Sequence, residues 1–182
     1  MIRKTLLALS TLAVAAQEPT TMGLTLRASR PSDNLKDTVG AKNGYGVSLD
    51  AESDLIDAWK SRLVIGFDTW GPGNGLAQAG VRGKVTVGHL SLEGVRMLGP
   101  EGRTGFLGPY VVIGFGAYGW NVSTSDPANE LSMTRRVIHL GGSAGLGYRF
   151  TKGLDAEVRI GGGKVDPQFT AAALSFGLTF RY

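Results

Sequence analysis

The sequence predicts an all-β chain: an eight-stranded antiparallel up-and-down transmembrane β-barrel. Three observations point there. Segment after segment alternates apolar residues with polar or small ones at a period of two, the mark of strands with unlike faces. Glycine supplies 28 of the 182 residues. That share disfavours long helices, because a glycine in a helix interior costs about 1 kcal/mol relative to alanine. Aromatic residues gather near the ends of the alternating runs (Tyr45, Trp59, Trp70, Tyr148, Phe150, Phe180 and Tyr182), where a ring can meet headgroups on one side and acyl chains on the other.

The amino terminus reads as an address. Arg3 and Lys4 precede a mostly apolar run from Thr5 to Ala16 that ends in small residues before Gln17-Glu18-Pro19. This is the layout of a secretory signal peptide, and the run falls short of the roughly 20 residues a spanning helix needs. Residues 1–16 are therefore expected to be removed, leaving residues 17–182 as the barrel domain. Loss of Arg3 and Lys4 takes the basic residues from 19 to 17 against 15 acidic ones. The high pI of about 9.5 thus carries no argument for nucleic-acid binding. The absence of cysteine excludes disulfide scaffolds, thiolate metal sites and a lipidated cysteine.

The strands follow in order, at about 21–30, 44–52, 58–70, 77–98, 107–121, 133–150, 154–163 and 172–182. In the first, Met22, Leu24, Leu26 and Ala28 alternate with Gly23, Thr25 and Arg27. In the second, Tyr45, Val47, Leu49 and Ala51 alternate with Gly46, Ser48 and Asp50. In the third, Leu63, Ile65 and Phe67 oppose Arg62, Gly66 and Asp68, with Val64 as an apolar exception. In the fourth, Val81, Val85 and Val87 read as the outward face over Arg82, Lys84 and Thr86. The apolar phase then moves to Leu90 and Leu92, and again to Val95 and Met97, which predicts β-bulges at Gly88 and Gly94. The fifth is apolar on both faces, with Val111, Ile113, Phe115 and Ala117 assigned outward and Gly114, Gly116, Tyr118 and Trp120 inward. In the sixth, Ile138, Leu140, Ala144, Leu146, Tyr148 and Phe150 alternate with His139, Ser143 and Arg149. The seventh sets Leu154, Ala156, Val158 and Ile160 against Asp155, Glu157 and Arg159. The last sets Leu174, Phe176, Leu178, Phe180 and Tyr182 against Ser175, Gly177, Thr179 and Arg181.

A soluble β-sandwich would also alternate. The barrel reading is favoured by a polar face rich in Gly and Ser, as a crowded lumen needs, and by the aromatic strand ends. Lipid leaves no water for unpaired backbone groups, so strands cross it only in a closed sheet.

Gly145-Leu-Gly-Tyr-Arg-Phe150, Thr151-Lys-Gly153, Leu154-Asp-Ala-Glu-Val-Arg159 and the terminal Leu174, Phe176, Leu178, Phe180, Tyr182 pattern resemble the small outer-membrane β-barrel family of Gram-negative bacteria, which includes OmpA-type transmembrane domains and OmpX-like proteins. The resemblance implies an outer-membrane location, with outer-membrane lipid as solvent and the barrel-assembly machinery and periplasmic chaperones as partners. The terminal pattern resembles the signal that this machinery recognises, although Tyr182 stands where family members more often end in Phe. The family includes adhesins, structural proteins and enzymes, so membership implies fold and place more than activity.

Candidate chemistry is sparse. His89, Ser91 and Glu93 share a face by period two if no bulge intervenes. Their residue types are similar to those that outer-membrane lipid A deacylases use, but Val87-Gly-His-Leu-Ser-Leu-Glu-Gly94 does not otherwise match that family's motif. His139 falls on the lumen face with Ser143 and Arg149. Gly161-Gly-Gly-Lys164 lacks the spacing of a phosphate-binding loop. No cofactor or metal site is expected. The richest polar set is the inward one: Arg27, Asp50, Arg62, Asp68, Arg82, Lys84, Arg149, Asp155, Glu157, Arg159 and Arg181. Unpaired charges in so dry a space would be costly, so an ion-pair network that plugs the lumen is expected.

The expected role is structural or one of surface binding and adhesion. A ligand would meet loops such as residues 31–43 and 123–132, held on a rigid frame. The rival readings are a lipid-modifying enzyme using His89 or His139 and a narrow small-solute channel. The chain is expected to act as a monomer.

Overall fold

The computed structural model describes residues 20–32, 35, 41–55, 59–72, 80, 82–98, 107–166 and 169–182. The expected signal peptide and its expected cleavage point after residue 16 lie outside the described residues, as does most of the segment 31–43. Eight strands run in chain order: β1 (Thr21–Pro31), β2 (Ala41–Asp54), β3 (Trp59–Pro72), β4 (Arg82–Met97), β5 (Gly108–Asp126), β6 (Leu131–Thr151), β7 (Leu154–Asp166) and β8 (Phe169–Arg181). Each pairs antiparallel with its neighbours, and β1 pairs with β8 to close the barrel. At the seam the Met22 amide donates to the Tyr182 carbonyl at 3.1 Å, and the Tyr182 amide donates to that of Met22 at 3.0 Å. The β2–β3, β4–β5 and β6–β7 connections share one end with the chain termini, here the terminus end; the other connections form the loop end.

The barrel is apolar outside and charged inside. Leu140 is 80% exposed and Phe115 67%, while Asp155 and Arg62 are 0% and 3% exposed. A water-soluble fold would reverse this assignment, because burying apolar surface is its main driving force. Strand alternation does the sorting. In β7, Asp155 and Glu157 are buried while Val158 and Ile160 are exposed. In β8, Thr179 and Arg181 are buried between exposed Leu174, Phe176, Leu178 and Phe180.

The structure corrects three expectations. First, β4 contains no bulge at Gly88 or Gly94, since its register runs unbroken from Arg82 to Met97 against β5. Its odd face points inward throughout, so Val85, Val87, Val95 and Met97 are lumen residues, while Leu90 and Leu92 face outward. The apparent phase flips arise because the lumen is apolar towards both ends of β4 and polar at His89, Ser91 and Glu93 between them. Second, Trp70 is 2% exposed and stacks inside on Trp120, with ring centroids 6.3 Å apart; it is no interfacial ring. Third, residues 123–132 form little loop. β5 and β6 continue as a hairpin to the pair Asp126 and Leu131, turning through Glu130 at φ 55°.

Candidate functional site

The terminus-end half of the lumen is a web of ion pairs. Arg62 Nη1 meets Glu157 Oε2 at 3.0 Å and Glu93 Oε2 at 3.6 Å; its Nη2 meets Glu52 Oε2 at 3.2 Å, and its Nε lies 4.0 Å from Asp50. Arg149 bridges Asp155 at 2.9 Å and Glu52 at 3.0 Å. Arg181 joins Asp155 at 2.6 Å, Asp50 at 2.8 Å and Glu52 at 3.3 Å. Arg159 donates to Glu157 at 2.6 Å and to both oxygens of Glu93. Tyr110 caps the web: its hydroxyl donates to Glu157 at 3.1 Å, and the Arg62 and Arg149 guanidinium carbons lie 5.7 and 5.9 Å from its ring centroid. Every carboxylate here touches at least one guanidinium. That sharing lets charges sit in a space where an unpaired ion would cost several kcal/mol.

Nearer mid-barrel, Arg27 donates to Asp68 through Nε at 3.2 Å and Nη2 at 3.1 Å. Its Nη2 also lies 3.0 Å from His89 Nε2. Arginine only donates, so His89 accepts at Nε2 and carries its proton on Nδ1. The His89 ring stacks on Tyr118 at 5.5 Å. Ser91 donates to Glu93 at 3.3 Å, so the one face of β4 holds His89, Ser91 and Glu93 without linking serine to histidine. His139 is half-buried on the strand face that carries Ser143 and Arg149. Among the described residues no group of three or more His, Asp or Glu side chains is arranged to hold a metal ion.

Towards the loop end the lumen turns apolar. Leu35, Trp70, Val85, Val87, Tyr118, Trp120, Val165 and Ala171 pack as one buried cluster.

Of the residues expected to face inward, the structure brings together Arg27 and Asp68 in one group, and Asp50, Arg62, Arg149, Asp155, Glu157, Arg159 and Arg181 in the other. Lys84 is a correction: it is exposed on the outward face of β4, because the strand keeps the phase set by Val85 and Val87. The Arg82 side chain lies outside the described residues. Sequence reasoning missed Glu52 and Tyr110, and read Glu93 only as part of a catalytic set. Glu52 lies two residues beyond Asp50, so continuing the β2 alternation through it would have placed it inside. The terminal pattern Leu174, Phe176, Leu178, Phe180 and Tyr182 lies exposed along the outer wall.

At the loop end, β5 and β6 rise beyond the rest of the wall. Pairing of β6 with β7 begins only at Gly141 and Gly163, so residues 131–140 are paired with β5 alone among the described residues. The tip is fastened by Asp126, whose carboxylate accepts from the Asn129 side chain at 2.7 Å and the Ala128 amide at 3.1 Å. The Asn129 hydrogen bond holds this carboxyl below the usual range. Arg135 and Arg136 are exposed on the hairpin, Lys84 on the adjoining β4, and Arg30 and Lys164 on the neighbouring rim. Among the described side chains at this end, Asp126 and Glu130 are the acidic counterparts.

No protein-family model matches the chain, and no curated protein matches it. Solved structures do. Ail, the attachment invasion locus protein of Yersinia pestis, in complex with the heparin analogue sucrose octasulfate, is 14% identical over 90% of this chain and 97% of that one, with a TM-score of 0.61. The N-terminal β-barrel domain of Pseudomonas aeruginosa OprF is 17% identical over 91% and 100%, with a TM-score of 0.60. Neisserial surface protein A is 15% identical over 90% and 97%, with a TM-score of 0.56. The chain has the fold of the small eight-stranded outer-membrane barrels.

Proposed function

We propose that this chain is an outer-membrane protein whose lumen is sealed by its own side chains and whose loop-end hairpin binds polyanionic surfaces. The observation that carries the binding reading is the β5–β6 hairpin. It has no backbone pairing to β7 over residues 131–140 and carries Arg136 on its outward face, the face that Lys84 shares on the adjoining β4, with Arg135 on the opposite face of the paired ribbon. Basic groups on a preordered frame attract anionic polymers without an ordering cost. The barrel whose structure holds sucrose octasulfate suggests a sulfated probe. Membrane residence is supported by the continuous outer apolar wall, and sealing by the ion-pair web below the apolar cluster.

The test uses the barrel reconstituted in phospholipid vesicles and passed over immobilised heparin. Salt-sensitive retention is expected, falling at least tenfold for the Lys84→Gln, Arg135→Gln, Arg136→Gln triple variant. Equal retention of the two proteins would defeat the binding reading. Discrete single-channel steps in a planar bilayer would defeat the sealed lumen.

A further inference from the structure

Between the ion-pair web and the apolar cluster lies a cavity of about 50 Å³, reached by Arg27, Ser29, Asp68, Trp70, His89 and Trp120 among others. It has room for roughly three or four water-sized particles. Five of its residues own buried polar atoms with no hydrogen-bond partner among the described residues: Ser29 Oγ, Trp70 Nε1, His89 Nδ1, Trp120 Nε1 and Ser143 Oγ. All five residues are more than nine-tenths buried. Buried polar groups are nearly always satisfied, and a cluster of exceptions around one cavity calls for an occupant.

The chemistry of these atoms defines that occupant. Each indole N–H is donor only. His89 holds its proton on Nδ1 because its Nε2 accepts from Arg27. The Ser29 and Ser143 hydroxyls can donate as well as accept. The carboxylate on the wall, Asp68, already receives two hydrogen bonds from Arg27, and a second guanidinium, Arg159, also lines the space. A water molecule brings two hydrogens that need acceptors, whereas three of these atoms, the Trp70, His89 and Trp120 N–H groups, can only donate. A small anion needs donors alone.

We infer that this mid-lumen cavity binds a small monovalent anion of halide size, held by the His89, Trp70 and Trp120 N–H groups and the Ser29 hydroxyl beside Arg27. The inference rests on the interior and is independent of the surface-binding reading.

Bromide tests it, because it matches the proposed class and quenches indole fluorescence. The folded barrel in detergent micelles is titrated with sodium bromide against sodium gluconate at constant ionic strength. Quenching with a saturable component that chloride displaces is expected. His89→Phe keeps a ring to stack on Tyr118 but deletes the donor, and Ser29→Ala deletes another at nearly constant volume. Each should weaken the saturable component by about tenfold or more, the scale of one hydrogen bond to an ion. Heat-modifiable gel mobility reports that each variant is folded. Should His89→Phe fail to fold, Ser29→Ala alone decides. Purely linear quenching of the native protein, or a saturable component that folded variants leave unchanged, would mean that the cavity holds water only and would overturn the inference.

Discussion

Replacing Arg62 with methionine tests whether the lumen is held by its ion pairs. Methionine keeps an unbranched stem of similar reach and removes the guanidinium. Arg62 lies within 3.0–4.0 Å of Glu157, Glu52, Glu93 and Asp50. The web pairs four arginines (62, 149, 159, 181), and Lys60 at 3.5 Å from Glu52, with five carboxylates (50, 52, 93, 155, 157), so the variant leaves three arginines and one lysine facing five carboxylates in a buried site. Breaking a buried pair by removing one partner costs about 3–5 kcal/mol. At about 1.4 kcal/mol per tenfold, that is a loss of roughly 10² to 10³·⁵ in the folded-to-unfolded ratio. The assay is reversible urea unfolding in phospholipid vesicles, followed by tryptophan fluorescence and gel mobility. Adding Glu157→Gln to the variant should recover part of the loss, because it discharges a carboxylate that Arg62 no longer serves. A cost below about 1 kcal/mol, together with strict additivity of the two changes, would refute the network as a source of stability.

Space inside the barrel makes a second prediction. A Cβ at Gly147 would land on the Tyr110 ring, while one at Gly88 meets nothing within 4 Å; urea unfolding should show Gly147→Ala less stable by about 1–3 kcal/mol and Gly88→Ala nearly unchanged, and equal behaviour would contradict the packing. A protein retaining Trp70 alone among its tryptophans should resist quenching by lipids brominated on their acyl chains, whereas a Trp at position 115 should be quenched strongly; equal quenching would put Trp70 back on the lipid face. Asn129→Ala should raise the Asp126 pKa towards the ordinary carboxylate value, read by NMR titration. The contribution of that hydrogen bond to the hairpin tip is present above the ordinary range and is lost as pH falls through the depressed value, so a tip whose order does not depend on Asn129 at neutral pH would refute the cap.

The sequence carried the outer wall almost whole, because lipid imposes one rule on every outward position. Leu26, Ile65, Phe115, Leu146 and Phe176 all obey it. The inner face obeys no single rule. It is charged where guanidinium and carboxylate meet across strands, and apolar where Trp70, Val85, Val87 and Trp120 fill the loop end. Apolar residues on both faces erase the contrast that alternation depends on. That is why β4 read as bulged and Lys84 was placed inside. The hairpin tip was hidden for another reason: Ser, Thr, Asp and Pro from 123 to 132 have loop chemistry, while the pairing that makes them strand comes from the partner opposite. The mid-lumen cavity left no trace in the sequence, since its five unpartnered atoms come from separate strands.

The same division between charged and apolar lumen explains how the barrel selects its register. The pairs Arg62–Glu157, Arg149–Glu52 and Arg181–Asp50 join residues 95, 97 and 131 positions apart, so none can form in an isolated hairpin. They form only when distant strands already stand in the right order around a closed wall. Consider a slip of β7 by one residue. Because side chains alternate, Asp155, Glu157 and Arg159 would turn to the outer wall, and Val158 and Ile160 would enter the charged space. An arginine on the lipid face costs about 2–4 kcal/mol at mid-membrane, with acidic groups somewhat less, and the arginines left behind would lose their partners as well. The apolar cluster could not supply that discrimination, because a valine or tryptophan moved from lumen to lipid meets another apolar medium. Register specificity therefore resides in the charged half of the lumen. The apolar half can serve as a seal against solute passage, because little of the strand alignment depends on it.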